Sequence, residues 1–75
     1  MVLLFQELQK AKIGFVDAKA IHKNGGIKIE RLIVNTPEDL ALFLDWAAGN
    51  PQVSFNEDDV RIATLDELKQ SEERW

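Results

Sequence analysis

Few side chains in this chain of 75 residues can do chemistry, and their spacing narrows what that chemistry could be. Asn56-Glu57-Asp58-Asp59 offers consecutive oxygen ligands and raises a calcium or magnesium site. Consecutive carboxylates point in different directions, and the alternating ligands and sixth-position glycine of a calcium loop are missing, so no metal is expected. His22 is the single histidine and cysteine is absent, which leaves zinc without a ligand set. A Ser-His-Asp arrangement would need Ser54 or Ser71 with His22; Ser54 falls in an expected loop and Ser71 in a charged helical tail. No glycine-rich phosphate loop occurs. The inventory predicts no catalytic residue, no cofactor and no enzymatic activity. His22 reads as a strand-end residue covering the sheet edge, with a pH switch as the functional alternative.

Binding chemistry is better represented. Leu42 and Trp46 stand one helical turn apart beside Asp39, and tryptophan is the residue type most enriched at interface hot spots. Glu57, Asp58 and Asp59 would select a partner by charge, and with Asp66, Glu67, Glu72 and Glu73 they could also imitate a nucleic-acid backbone. The alternative is nucleic-acid binding through Lys10, Lys12, Lys19, Lys23 and Lys28 on a β-hairpin. Against it stand a net charge of −4, few arginines and only Phe15 as an aromatic residue among the lysines. The charge is unevenly spread: residues 1–35 sum to +3 and residues 36–75 to −7. Each end could recruit an oppositely charged partner, unless the two halves interleave in the fold and the field cancels.

The elements that must position these groups follow from local signals. Asn24-Gly25 supplies the two positive-φ residues of a type I′ turn, predicting a hairpin with strands over 14–22 and 27–35. Setting Lys23 opposite Gly26 places His22 across from Ile27, Ala20 from Ile29, Lys19 from Glu30 and Val16 from Ile33. Val16, Ala18, Ala20, Ile27, Ile29 and Ile33 then share one face, with Asp17, Lys19, Lys28 and Glu30 on the other. Arg31 falls on the apolar face, while Phe15, Leu32 and Val34 load the polar one near the open end. That pattern predicts a cover there, and the N-terminal segment is nearest. Residues 2–11 have helical spacing at Leu4, Phe5, Leu8 and Ala11, although "MVLLF" suits a strand as well.

Thr36, Pro37, Glu38 and Asp39 form a helix start and Gly49 a stop, predicting a helix over 37–48. At roughly 100° per residue its core face would be Leu40, Phe43, Leu44 and Ala47, leaving Leu42 and Trp46 off the stripe. A third strand is expected over 59–63. Thr64-Leu65-Asp66-Glu67 is a capping box opening a helix over 65–74, with Leu65, Leu68 and Trp75 as a thin stripe.

These elements predict one α+β domain over residues 1–75, a small three-stranded, largely antiparallel sheet packed by helices. No apolar run approaches the roughly 20 residues of a membrane span, and no secretory signal is legible, so a cytoplasmic protein is expected. The expected role is a non-enzymatic protein-binding module that forms a homodimer, since a chain this short gains stability by burying a patch against its copy. An inhibitor or adaptor acting on a larger protein machine, of the kind bacteria, phages and mobile elements encode, fits these features.

Overall fold

The computed structural model describes residues 2–74, with side chains described over 4–72. Trp75, expected on the last helix's stripe, and the side chain of Glu73 lie outside the described residues. The chain order is α1 (Val2–Lys10), β1 (Phe15–Lys23), β2 (Gly26–Val34), α2 (Pro37–Ala48), β3 (Val53–Phe55), a 3-10 turn (Glu57–Asp59), β4 (Val60–Ile62) and α3 (Leu65–Arg74). Three helices pack with an open, mixed, four-stranded sheet: an α+β fold. β2 is central, with β1 antiparallel on one edge and β3 and β4 both parallel to it on the other. The sequence predicts three strands, largely antiparallel. The added strand is β3, and the parallel pairings arise because α2 carries the chain back across the sheet before each of the two short strands is laid down.

The N-terminal segment is a helix, and its end shows why. Ile13 N–H donates to Leu8 C=O and Lys12 N–H to Gln9 C=O, each at 3.0 Å, around Lys12 at φ 61°. That is a Schellman closure, and it brings Ile13 and Leu8, both buried, to the same spot.

The hairpin forms at the expected turn, with Asn24 and Gly25 at φ 48° and 82°. Pairing runs Lys23–Gly26, His22–Ile27 and Ala20–Ile29 as expected, and then slips. Lys19 pairs with Arg31 in place of Glu30, and Asp17 with Ile33 in place of Val16. Glu30 is the extra residue of a bulge in β2, and Val16 of a second bulge in β1. An extra residue reverses the alternation beyond it. Leu32 and Val34 therefore join Ile27 and Ile29 on the core face, and Arg31 turns to the polar face, where it pairs with Asp17 at 2.6 Å. The two apparent violations of the sequence pattern were consequences of a straight register. Lys19 still reaches Glu30, at 3.3 Å.

One cluster forms the core: Leu4, Leu8 and Ile13 from α1 and its exit, Phe43 from α2, and Ala20, Ile27, Ile29, Leu32, Val34, Val53 and Val60 from the sheet. Phe5 stacks on Phe15 with centroids 5.4 Å apart, so α1 does cover the open end, but on the same face as α2. Ile33 is buried outside this cluster, on the reverse face. There α3 lies over it, leaving a crevice of about 40 Å³ lined by Val16, Asp17, Ile33, Glu67, Gln70 and Ser71.

The bulge also explains the break in the opposite edge. β3 pairs with Ile27, Lys28 and Ile29, and β4 with Leu32, Ile33 and Val34. Glu30 and Arg31, the bulged pair, are the two β2 residues left between them. The neighbouring chain leaves the sheet at that point as the 3-10 turn. Its three carboxylates are set by the kink in β2.

Candidate protein-docking site

α2 is held as its sequence requires. Thr36 Oγ1 accepts from Asp39 N–H at 3.2 Å, and Pro37 occupies the first turn. At the other end Gly49 N–H donates to Trp46 C=O at 3.1 Å, and the Asn50 side-chain amide donates to the same carbonyl at 2.7 Å. Asn50 C=O then accepts from Val53 N–H at 2.9 Å, which sends the chain directly into β3.

The helix is rotated from its expected setting. Phe43 is fully buried and defines the centre of the packed face, with Leu40, Ala47 and Trp46 partly buried around it. Trp46, expected off the stripe, packs against the core and tilts over Phe43 with ring centroids 5.9 Å apart. Leu44, expected in the core, is 45% exposed. The physical reason is size. Two large rings three residues apart draw the packed face toward themselves, and Leu44 then stands roughly 100° from its centre.

Leu42 and Leu44 consequently emerge on opposite flanks of α2. On the Leu42 flank the expected contact set is divided: Leu42 is exposed, Trp46 is half-buried, and Asp39 is pressed against Gly14. A Cβ at Gly14 would sit 2.8 Å from the Asp39 carboxylate, so a larger residue there would have to push that side chain aside. The acidic turn belongs to the other flank. Leu40, Leu44, Phe55, Val60 and Glu57 line an open hollow of about 270 Å³ there. Phe55 closes one side, edge-on to Phe43 with centroids 5.1 Å apart. Thus the structure brings Glu57, at the head of the turn that holds Asp58 and Asp59, to the Leu44 flank, while Leu42 and Trp46 lie on the other flank of the helix.

The acidic turn is fixed by its own backbone. Asn56 accepts from Asp58 N–H through its side chain at 3.4 Å, and its C=O accepts from Asp59 N–H at 2.9 Å. Among the described residues none of the three carboxylates is in an ion pair, whereas those of Asp17, Glu30 and Glu67 are. Nor does any group of three His, Cys, Asp or Glu among the described residues gather as a metal site.

Leu40, Leu44, Phe55 and Val60 were not marked by the sequence as a binding set. The Val53-Ser54-Phe55 alternation carries a strand signal, but three residues are too few to separate it from a loop.

The remaining candidates are dispersed. Lys12 lies at the exit of α1 and Lys23 at the hairpin turn, with the nine residues of β1 between them, roughly 25 Å at about 3.3 Å per residue. Lys10 ends α1, and Lys19 is paired with Glu30. Lys28, on the polar face, has no lysine or arginine directly across from it in either neighbouring strand. His22 is exposed beside the turn on the core-face side of the sheet, while Ser54 pairs with Lys28 on the opposite face and Ser71 lies on α3. The register sets Ser54 and His22 on opposite faces of the sheet.

One further feature is electrostatic. Arg61 donates through Nη1 and Nη2 to the two Glu67 oxygens at 2.6 and 2.7 Å. Glu67 also closes the expected capping box, accepting from Thr64 N–H at 2.9 Å and donating its own N–H to Thr64 Oγ1 at 3.3 Å. The Arg61 hydrogen bonds, then that from Thr64, hold the Glu67 carboxyl down at about 2. This fork fastens α3, whose Leu65 is 69% exposed, to β4.

Compared with protein families, with curated proteins and with solved structures, the chain matches none. Among the described residues no helix is long and apolar enough to cross a membrane.

Proposed function

We propose that this chain is a non-enzymatic protein-binding module, and that it docks its partner on the Leu44 flank of α2. The observation that carries this reading is the hollow itself. It is apolar at its floor, open to solvent, and lined on its rim by Glu57, the first of the three carboxylates of the acidic turn, none of them in an ion pair among the described residues. An exposed apolar patch with a polar rim is the usual anatomy of a protein contact. The dimer contact expected at Leu42 and Trp46 has less support, since Trp46 is engaged with Phe43. An inhibitor or adaptor of a larger cytoplasmic protein machine is the role that such docking would serve.

The test is a photo-crosslinking residue placed at Leu44 or, as control, at Asp45 on the far side of the helix. Light-dependent protein adducts in the source cells are expected from position 44 and not from 45. No adduct at 44, in a variant whose circular dichroism is unchanged, would remove this reading.

A further inference from the structure

We propose that the segment seated in the hollow is a basic amphipathic helix of another protein, lying alongside α2. This rests on the protein-binding reading above and names its partner. Three observations select it.

The first is the layer. α1 and α2 lie on the core face of the sheet, with α2 reaching β4 and its Phe43 meeting Phe55, and beyond the Leu44 flank the hollow at the outer edge stays open to solvent. A helix placed beside α2 continues the same layer, with an apolar side chain entering between Leu44 and Phe55. A standard interface covers roughly 800 Å² of each partner, against 5206 Å² for the whole chain. The hollow alone is too small for that, so the occupant must also run along the Leu44 flank.

The second is the sheet edge. An extended segment would need a continuous strand to pair with, but β3 and β4 have three residues each and the 3-10 turn interrupts them. That edge offers no ladder long enough to hold a strand.

The third is charge. Glu57 lines the hollow and Asp58 and Asp59 continue the same turn, none with an ion-pair partner among the described residues, so lysine or arginine one turn from the inserted side chain would meet this acidic turn. A second copy of this chain offers exposed leucines on helices at Leu42 and Leu44 of α2 and at Leu65 of α3, the last with Lys69 one turn on. However, Glu38, Asp39 and Asp45 accompany the first two and Asp66 and Glu72 the third, so either helix would bring like charge to the acidic turn. A basic foreign helix is therefore the better fit.

Two synthetic helical peptides of about 18 residues, with one leucine stripe and flanks either all lysine or all glutamate, test this. Each is titrated into the isotope-labelled full chain while backbone amide shifts are followed. The lysine peptide is expected to shift Leu44, Phe55 and Glu57 to Val60 saturably. It should bind on the order of ten-fold more tightly than the glutamate peptide, which is what two or three rim ion pairs supply. Added salt should shrink that preference. Replacing Glu57, Asp58 and Asp59 by Gln, Asn and Asn should erase it, and Leu44→Asp should abolish binding with the spectrum still dispersed. Equal affinity for the two peptides, saturable shifts elsewhere, or no saturable shift would overturn the proposal. Concentration-dependent shifts of Leu44 in the chain alone would do the same, in favour of a second copy. A crosslink at position 44 without a charge preference leaves the docking reading standing and removes only this one.

Discussion

Glu67 shows how much one exposed side chain can organise. It accepts a two-pronged hydrogen bond from Arg61 and one from the Thr64 backbone, and its carboxyl is held at about 2 from an ordinary 4.5. A carboxyl depressed in the folded state favours folding at pH values above its unfolded pKa, and that contribution disappears as pH falls toward the folded pKa. The advantage of the wild type over Glu67→Gln should thus be complete above pH 4.5 and vanish by about pH 2. Urea midpoints of both proteins across this range measure it; a difference that persists unchanged at pH 2 would refute the assignment. The capping box was legible at this scale, because Thr64 and Glu67 are three residues apart. Arg61 as the third member was not, since the fork requires β4 to end where α3 begins.

At the scale of elements, β2 is the organising strand. Its bulge at Glu30 turns Leu32 and Val34 inward, turns Arg31 outward and leaves the gap between β3 and β4 that the acidic turn fills. Removing Glu30 should leave the faces of all other β2 residues intact, at the loss of one surface ion pair worth up to ~1 kcal/mol. Removing Lys28 should instead turn Ile29 and its successors to the wrong face and prevent folding. Amide spectra of the two deletion variants distinguish them: dispersed for the first, collapsed for the second. If both collapse, the extra residue is not where the register places it. The hairpin, both caps of α2 and the start of α3 could be read from sequence because each depends on residues within four positions. The bulges could not, since a strand slips only in response to what packs on it.

Over the whole molecule, the rotation of α2 decides which surface is left for a partner. Trp46 belongs to the core flank, so Trp46→Ala should lower stability by about 2 kcal/mol, less than the roughly 3–5 of a fully buried aromatic. It should leave the mass in solution unchanged. Thermal unfolding with light scattering reads both quantities, and a fall in mass with stability intact would return Trp46 to an interface. Ion pairing among the described residues does not cancel the charge division between the halves, since Lys19–Glu30 and Arg31–Asp17 lie within residues 1–35 and Arg61–Glu67 within residues 36–75. The carboxylates of the acidic turn stand outside these pairs.

By itself the sequence determined the α+β class, the hairpin turn, the limits of α2 and the poverty of catalytic groups, because residue type and near spacing act within a few bonds. Tertiary structure alone decided the mixed sheet, the reversal of faces beyond Glu30, and the exchange of Leu44 for Trp46 at the edge of the core. The first follows from the crossover through α2, and the other two from competition between large side chains for the same buried volume. A helical wheel drawn without its neighbours carries no information on which flank wins.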